Sequence, residues 1–211
     1  MPRLTDAFAL IGISVVLGAL MLSFLVSLSA SWRTNGLQPT ARHMIAVGCL
    51  AMLWIPVGDA QIPTVAYIRG ITSDPSVSLI ALAALQVGRL AFGIRTASSK
   101  NHTAVMAALA VTAVFLYPLA LGWGDWDAYQ PGWGSWGMLL MLLVVCSACL
   151  AKRLRLLPAL IALSLLAWST GLMESGNLWD YLIDPWLSVC ALSFVFLKYV
   201  KRFYHRLGWA K

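Results

Sequence analysis

Charged side chains are scarce in this sequence. They make up 11% of its 211 residues, whereas a soluble domain carries about a quarter. Hydrophobic residues make up 60% of the chain, and the polar stretches between the apolar runs are short. This composition excludes an ordinary soluble protein, leaves no room for a separate soluble domain within these residues, and predicts a membrane protein.

Cysteine and histidine are also rare. The four cysteines all lie inside apolar runs: Cys49, Cys146, Cys149 and Cys190. Two of them form a CxxC in the middle of the run LLVVCSACLA, with no second cysteine pair and no histidine nearby, so a packing role is predicted and a disulfide or metal site is not. The three histidines lie at basic membrane boundaries: His43, His102 and His205. No two of them pair at mid-depth, which argues against haem ligation.

The familiar catalytic and transport motifs are missing. The sequence has no GxSxG with a plausible triad, no Walker motif and no HExxH. It shows no inverted repeat with paired broken helices, and its apolar runs carry no acidic residue at mid-depth. These absences weigh against a transporter and against the common soluble enzyme classes.

The sequence does contain seven apolar runs. They cover residues 7–30, 40–57, 77–94, 103–121, 138–151, 156–173 and 186–200. A helix needs roughly 20 apolar residues to cross a bilayer, and the first run is longer than the 7–15 residues of a signal-peptide core. We therefore predict an all-α fold, a polytopic membrane bundle of about seven transmembrane helices in a single domain, 1–211.

The stretch between the second and third runs, Gly58–Ser76, is too polar to span and too apolar for a plain loop. Its core, residues 62–71, can form two helical turns. We predict an interfacial or re-entrant segment here, and the sequence leaves those two possibilities open.

The basic residues set the orientation. The loops after the first, third and fifth runs, the adjoining ends of the runs and the C-terminal tail hold twelve of the fifteen: Arg33, Arg42, Arg95, Lys100, Lys152, Arg153, Arg155, Lys198, Lys201, Arg202, Arg206 and Lys211. The positive-inside rule makes this face cytoplasmic, with the N-terminus outside and the C-terminus inside, as seven spans require. A bacterial inner membrane is the expected location. The net charge of +7 does not indicate nucleic acid, because the cations cluster at the ends of apolar runs rather than on one exposed face.

All acidic residues fall on the opposite, outer face. They are Asp6, Asp59, Asp74, Asp125, Asp127, Glu174, Asp180 and Asp184. Two explanations stay open: the outer face requires carboxylates, or acids are merely excluded from the basic face. Asp74 and Asp184 each precede a proline at a helix start, which predicts helix caps.

Three outer loops supply the candidate site residues. The candidate catalytic residues are Asp59, Asp125, Asp127 and Glu174. Converging carboxylates can perform general acid–base chemistry or hold a divalent cation. The candidate substrate-binding residues are Gln61, Arg69, Trp126, Tyr129, Trp133, Asn177 and Asp180. The guanidinium among them is also a candidate partner for the boundary carboxylates Asp59 and Glu174.

The least ordinary segment is WGDWDAYQPGWGSWG. Trp123 and Trp136 flank helices and are explained by an aromatic belt at the headgroup level. Trp126 and Trp133 are explained less well, and tryptophan beside aspartate suits a sugar ring or a glycolipid headgroup. The loop glycines give the backbone freedom to close over such a ligand.

Three functions follow as hypotheses. The first is a membrane enzyme, such as a transferase of envelope biogenesis, that acts at the periplasmic face on a lipid-linked or glycan substrate. The second is a non-catalytic accessory or scaffold subunit of a membrane complex, favoured by small size and absent motifs. The third is a small-solute transporter.

Overall fold

The computed structural model describes residues 4–29, 37–95 and 97–206, with backbone alone for 204–206. These residues contain nine α-helices, one 3-10 helix and one two-stranded ribbon, so the expected all-α character is confirmed. The chain forms two compact units. The first, unit 1, is Met1–Thr96 with Ala167–Glu174, and the second, unit 2, is Ala97–Leu166 with Ser175–Lys211.

Unit 1 is built around its first helix. Its elements are α1 Leu4–Leu28, α2 Pro39–Met52, β1 Pro56–Val57, β2 Ile62–Pro63, α3 Thr64–Thr72 and α4 Val77–Phe92. Helix α1 packs against α2, α3 and α4. Small residues allow this close approach: a Cβ placed on Gly18 would lie 2.6 Å from Leu50 Cδ2, and Ser14, one turn earlier, is buried. Gln86 Nε2 on α4 donates to Ser23 Oγ on α1 at 3.2 Å, so a polar pair links the two apolar helices.

Unit 2 contains the remaining elements. They are α5 Ser99–Ala120, the 3-10 helix Gln130–Trp133, α6 Trp136–Ala151, α7 Leu156–Ser169, α8 Leu178–Leu182 and α9 Pro185–Arg206, with α7 belonging to this unit as far as Leu166. Helix α5 packs along α9. The expected cap at Asp184 is present: its Oδ1 accepts from the backbone N–H of Leu187 at 2.8 Å. Ser98 and Ser135 cap α5 and α6 in the same way.

Two helices of the described chain are long and apolar enough to cross a membrane, α1 with 25 residues and α5 with 22. Three further apolar helices, α4, α6 and α7, are shorter. The structure therefore supports membrane association, while the seven-span arrangement stays a prediction. Ala30, the loop around Arg33, the N-terminal Arg3 and the C-terminal Lys211 lie outside the described residues.

The region 40–76 differs from the sequence expectation. The predicted run 40–57 is helical only to Met52, because proline at position 56 disfavours helix in the residue before it and supplies no N–H. Pro56–Val57 instead pairs antiparallel with Ile62–Pro63. Within the predicted interfacial segment 62–71, the two expected helical turns are present as the nine-residue helix α3, and the strand Ile62–Pro63 precedes them.

Candidate functional site

Two loops of unit 2 hold most of the candidate residues. We call Gly122–Gly137 the tryptophan loop and Ser175–Asp184 the aspartate loop. The tryptophan loop makes a tight turn in which Asp127 Oδ1 accepts from the backbone N–H of Tyr129 at 2.8 Å. The short 3-10 helix Gln130–Trp133 follows, and the next residue, Gly134, has a φ of 95°, which favours glycine.

A buried amide joins the two loops. Asn177 is fully buried, its Nδ2 donates to the carbonyl of Tyr129 at 3.1 Å, and its Oδ1 accepts from the N–H of Trp179 at 2.9 Å. Trp179 adds a second link, because its indole N–H donates to the carbonyl of Ala128 at 3.1 Å. The candidate binding residue Asn177 therefore connects the two loops through its hydrogen bonds.

This connection between the two loops depends on a glycine. A Cβ placed on Gly132 would lie 1.9 Å from Asn177 Oδ1 and 2.6 Å from Trp179 Cδ1. Both distances are far below van der Waals contact, and the atoms belong to buried or half-buried side chains that are already hydrogen-bonded. The closeness of the loops therefore requires the missing side chain at this position.

Asp180 is the polar centre of the aspartate loop. Its Oδ1 accepts from the phenol of Tyr129 at 2.5 Å, and its Oδ2 accepts from the hydroxyl of Ser175. Burial, together with the hydrogen bond to Asp180 and its charge, raises the pKa of Tyr129 well above the ordinary tyrosine value. The phenol therefore stays protonated and acts as a donor to the carboxylate rather than as a base.

The other candidates of unit 2 lie on the surface of this fastened scaffold. Trp126 is 50% exposed and Trp133 is 64% exposed. Trp126 contacts the ring of Phe115, with centroids 5.9 Å apart, and a Cβ placed on Gly176 would lie 3.2 Å from the ring of Trp133. The side chain of the exposed Asp125 forms no hydrogen bond or ion pair with the described part of the chain. These three side chains are available to a ligand.

Unit 1 holds an ion cluster centred on Arg69. The guanidinium binds Asp74 through Nε at 2.7 Å, Asp6 through Nη1 at 2.7 Å and Glu174 through Nη2 at 3.4 Å. The hydrogen bond to Asp74 and then the one to Asp6 raise the pKa of Arg69 further above its normal value. One cation faces three carboxylates, so the positive charge expected to bind a substrate anion is already neutralised within the unit.

This cluster corrects two sequence interpretations. Asp74 was expected to cap α4, but the structure gives that role to Ser76, whose Oγ accepts from the N–H of Leu79 at 3.1 Å. Arg69 was a candidate partner for Asp59 and Glu174, and it pairs with Glu174. The participation of Asp6 was missed, because it is 63 residues away from Arg69 in sequence and no local signal joins them.

Asp59 and Gln61 lie in the turn between β1 and β2. Gln61 has a φ of 50°, and its Nε2 donates to the carbonyl of Gly58 at 3.1 Å, which is a role in the turn. Asp59 is exposed and makes no hydrogen bond or ion pair within the described residues. Of the unit 1 candidates it is the carboxylate that is left available.

The candidates thus divide between the two units. Unit 1 holds Asp59, Gln61, Arg69 and Glu174, and unit 2 holds Asp125, Trp126, Asp127, Tyr129, Trp133, Asn177 and Asp180. In the described ranges no three histidine, cysteine, aspartate or glutamate side chains are grouped so that they can hold a metal ion. A divalent cation therefore finds no three-residue ligand set among them.

Known proteins offer no guide to these residues. No family model, no curated protein and no solved structure matches the chain. The geometry of the two loops and of the ion cluster is therefore the basis for the functional proposal.

Proposed function

We propose that this protein crosses a bacterial-type inner membrane seven times, with its N-terminus outside, and binds a lipid-linked or glycan substrate at the periplasmic face. The binding surface is the tryptophan loop. The observation behind the proposal is that the side chains of Asp125, Trp126 and Trp133 are exposed and available to a ligand. They lie on a loop whose backbone carbonyls accept hydrogen bonds from Asn177 and Trp179.

Exposed apolar side chains support the seven spans. Large apolar side chains are exposed on three helices that are too short or too charged to be clear spans. Their exposed fractions are 61% for Leu143 and 67% for Val144 on α6, 66% for Leu166 on α7, and 61% for Val189 and 66% for Phe196 on α9. Such faces are costly in water and favourable in hydrocarbon. Six neighbouring residues of α6 alone, Leu139 to Val144, are apolar, as a lipid-facing helix requires.

The tryptophan loop has the chemistry that a sugar needs. Indole faces take up the apolar faces of a pyranose ring, and the carboxylate of Asp125 accepts hydrogen bonds from hydroxyl groups. Because the loop is already held by Asn177 and Trp179, little conformational entropy is lost when a ligand binds. A lipid-linked sugar fits this position, since its lipid part stays in the bilayer beside the loop.

A catalytic role falls to the available carboxylates. Asp125 in unit 2 and Asp59 in unit 1 are free to accept a proton from an attacking hydroxyl, whereas Asp127 already accepts from the backbone of Tyr129 and Glu174 faces Arg69. Among the four candidate acids we therefore place transferase chemistry at Asp125 first and at Asp59 second.

One observation favours the accessory subunit as a second function. The polar side chains of the aspartate loop are paired within unit 2 and those of the ion cluster within unit 1. Four indoles of the tryptophan loop are exposed: Trp123, Trp126, Trp133 and Trp136, at 77%, 50%, 64% and 81%. An open aromatic surface with little free charge is also typical of a site where another protein docks.

Binding experiments with variants that each replace one residue distinguish these functions. The full chain in nanodiscs is titrated with a polyprenyl-diphosphate-linked N-acetylglucosamine as probe, and binding is followed by native mass spectrometry. We expect Trp126→Ala, Trp133→Ala and Asp125→Asn each to weaken binding, by about tenfold for a lost stacking or hydrogen-bonding partner. The control is Trp136→Ala, which removes a still more exposed indole, at 81%, from the start of α6 and is not one of the three proposed contact residues.

The outcomes separate clearly. Loss in the loop variants with full binding in the control supports the substrate site. Equal effects in all tryptophan variants indicate a membrane-interface role and contradict it. A stoichiometric protein that co-purifies with the native chain and is lost in Trp126→Ala supports the accessory subunit instead.

A further inference from the structure

The end of unit 2 opposite the tryptophan loop is strongly basic. Exposed cations come from three places: Lys100 at the start of α5; Lys152, Arg153 and Arg155 in the turn between α6 and α7; and Lys198, Lys201 and Arg202 on α9. We call these seven residues the basic cluster. The four acidic residues of unit 2 lie in the tryptophan and aspartate loops, beyond the other end of the 22-residue helix α5, which is about 33 Å long.

Hydrogen bonds bring the three parts of the basic cluster together. Asn101 Oδ1, at the start of α5, accepts from the backbone N–H of Arg155 at 2.7 Å and from that of Leu156 at 3.2 Å. Lys198 Nζ donates to Thr103 Oγ1 at 2.8 Å. The turn and α9 are therefore both tied to the first residues of α5, and their cations share one surface.

No carboxylate of the described chain neutralises this surface. None of the seven cations forms an ion pair with a described residue. Like charges held close together repel, so the unliganded cluster is electrostatically unfavourable. An anion that binds it relieves this repulsion.

Apolar residues border the cations. Leu150, which precedes the turn, is 55% exposed, and Phe196 and Leu197 on α9 are 66% and 56% exposed. A ligand that fills this place must therefore present a negative group to the cations and a hydrocarbon chain to the adjoining helix faces. A phospholipid has both parts, whereas free phosphate has only the first.

We propose that the basic cluster is a binding site for anionic phospholipid headgroups. The site selects phosphatidylglycerol and cardiolipin over zwitterionic phosphatidylcholine, because the attraction near a surface rises with each lysine or arginine that contacts the headgroup. The inference uses the membrane location proposed above but is independent of any substrate at the tryptophan loop.

The turn supplies a variant that removes charge without removing structure. Arg153 has a φ of 58°, and the N–H of Arg153 and of Leu154 bond back to the carbonyls of Leu150 and Cys149 at 2.9 and 2.8 Å. This is the C-terminal helix motif in which glycine is the preferred residue at the left-handed position. Arg153→Gly should therefore leave the stability of the protein equal or slightly increased.

The test uses the full chain in phosphatidylcholine nanodiscs, with phosphatidylglycerol or cardiolipin added and bound lipids counted by native mass spectrometry. We expect Arg153→Gly to weaken binding of the anionic lipids about fivefold, and Lys152→Gln with Arg153→Gly and Arg155→Gln together to weaken it about a hundredfold. The matched control is Arg89→Gln, which removes one exposed cation from α4 of unit 1 and should leave binding unchanged.

Four results would overturn the proposal. These are unchanged anionic-lipid binding in the triple variant, an equal loss in Arg89→Gln, equal binding of phosphatidylcholine, and displacement of the lipid by millimolar inorganic phosphate. The unfolding midpoint of Arg153→Gly, measured in parallel, shows whether a loss of binding reflects the site or the fold. Incorporation into nanodiscs of phosphatidylcholine alone tests the proposed membrane location separately.

Discussion

Replacing Gly132 by alanine tests whether the two loops of unit 2 are fastened as described. The backbone of Gly132 has no left-handed conformation that would itself exclude a side chain. On that ground alone, alanine should stabilise the protein by about 0.4–1 kcal/mol, because it restricts the unfolded chain. The structure predicts the opposite sign, since the new Cβ would lie 1.9 Å from Asn177 Oδ1.

The magnitude follows from what Asn177 must give up. To make room, its amide has to leave a fully buried position in which it donates to Tyr129 and accepts from Trp179. Each of these hydrogen bonds contributes about 1 kcal/mol net, and a buried polar group left without a partner costs about 1–3 kcal/mol. After the gain in the unfolded state, Gly132→Ala should destabilise the protein by about 2–4 kcal/mol.

The assay is unfolding in mixed micelles, followed by tryptophan fluorescence and by protease cleavage of the tryptophan loop. The matched control is Gly137→Ala in the first turn of α6, where a Cβ meets no described atom within 4 Å. That variant should be neutral or slightly stabilised, since alanine favours helix. If Gly132→Ala unfolds together with Gly137→Ala or with the native protein, the close approach of the two loops is wrong.

Two further predictions concern charge. Arg69→Gln should destabilise unit 1 by about 2 kcal/mol, because three carboxylates then face one another. Glu174→Gln should destabilise it by less than about 0.5 kcal/mol, since the 3.4 Å contact of Glu174 with Arg69 is the longest of the three and its side chain is 58% exposed. Both variants are measured by unfolding at low and high salt, and equal losses of unfolding free energy would refute the unequal sharing of the guanidinium. For Tyr129, whose folded pKa is raised by burial and by Asp180, the unfolded chain releases the phenolic proton near pH 10 while the folded chain keeps it. The stability that this phenol contributes is therefore complete below about pH 9 and falls as the pH rises above about 10, and Tyr129→Phe should flatten this part of the measured profile of unfolding free energy against pH. A profile in which the variant falls as steeply as the native protein would contradict the buried phenol.

The ion cluster and the fastened loops share one physical principle. In each, polar side chains near the ends of apolar helices pair with residues of other segments, because an unpaired polar group at the edge of a membrane or a core costs free energy. Arg69 holds the starts of α1 and α4, and Asn177 holds the tryptophan loop. Arg69 and Asn177, which the sequence suggested as substrate-binding residues, therefore bind other residues of the chain.

The helical character of the chain follows from the sequence alone, because it depends on local properties. Apolar runs act within a few residues, so the runs 77–94, 103–121 and 138–151 indicate the helices α4, α5 and α6, whereas the serine caps at Ser76, Ser98 and Ser135 were missed. The sequence also places tryptophan beside aspartate in the segment Gly122–Gly137. The position of a site there, on the outer face, stays a prediction.

Which of the candidate residues remain available to a ligand depends on contacts between distant parts of the chain. Arg69 meets Asp6 across 63 residues and Asn177 meets Tyr129 across 48. Such pairings depend on how helices and loops pack, and no spacing in the sequence encodes them. Arg69, Tyr129, Asn177 and Asp180 are bound to other residues of the chain, because buried polar groups must be satisfied within the fold. Asp59, Asp125, Trp126 and Trp133 remain exposed and available to a ligand.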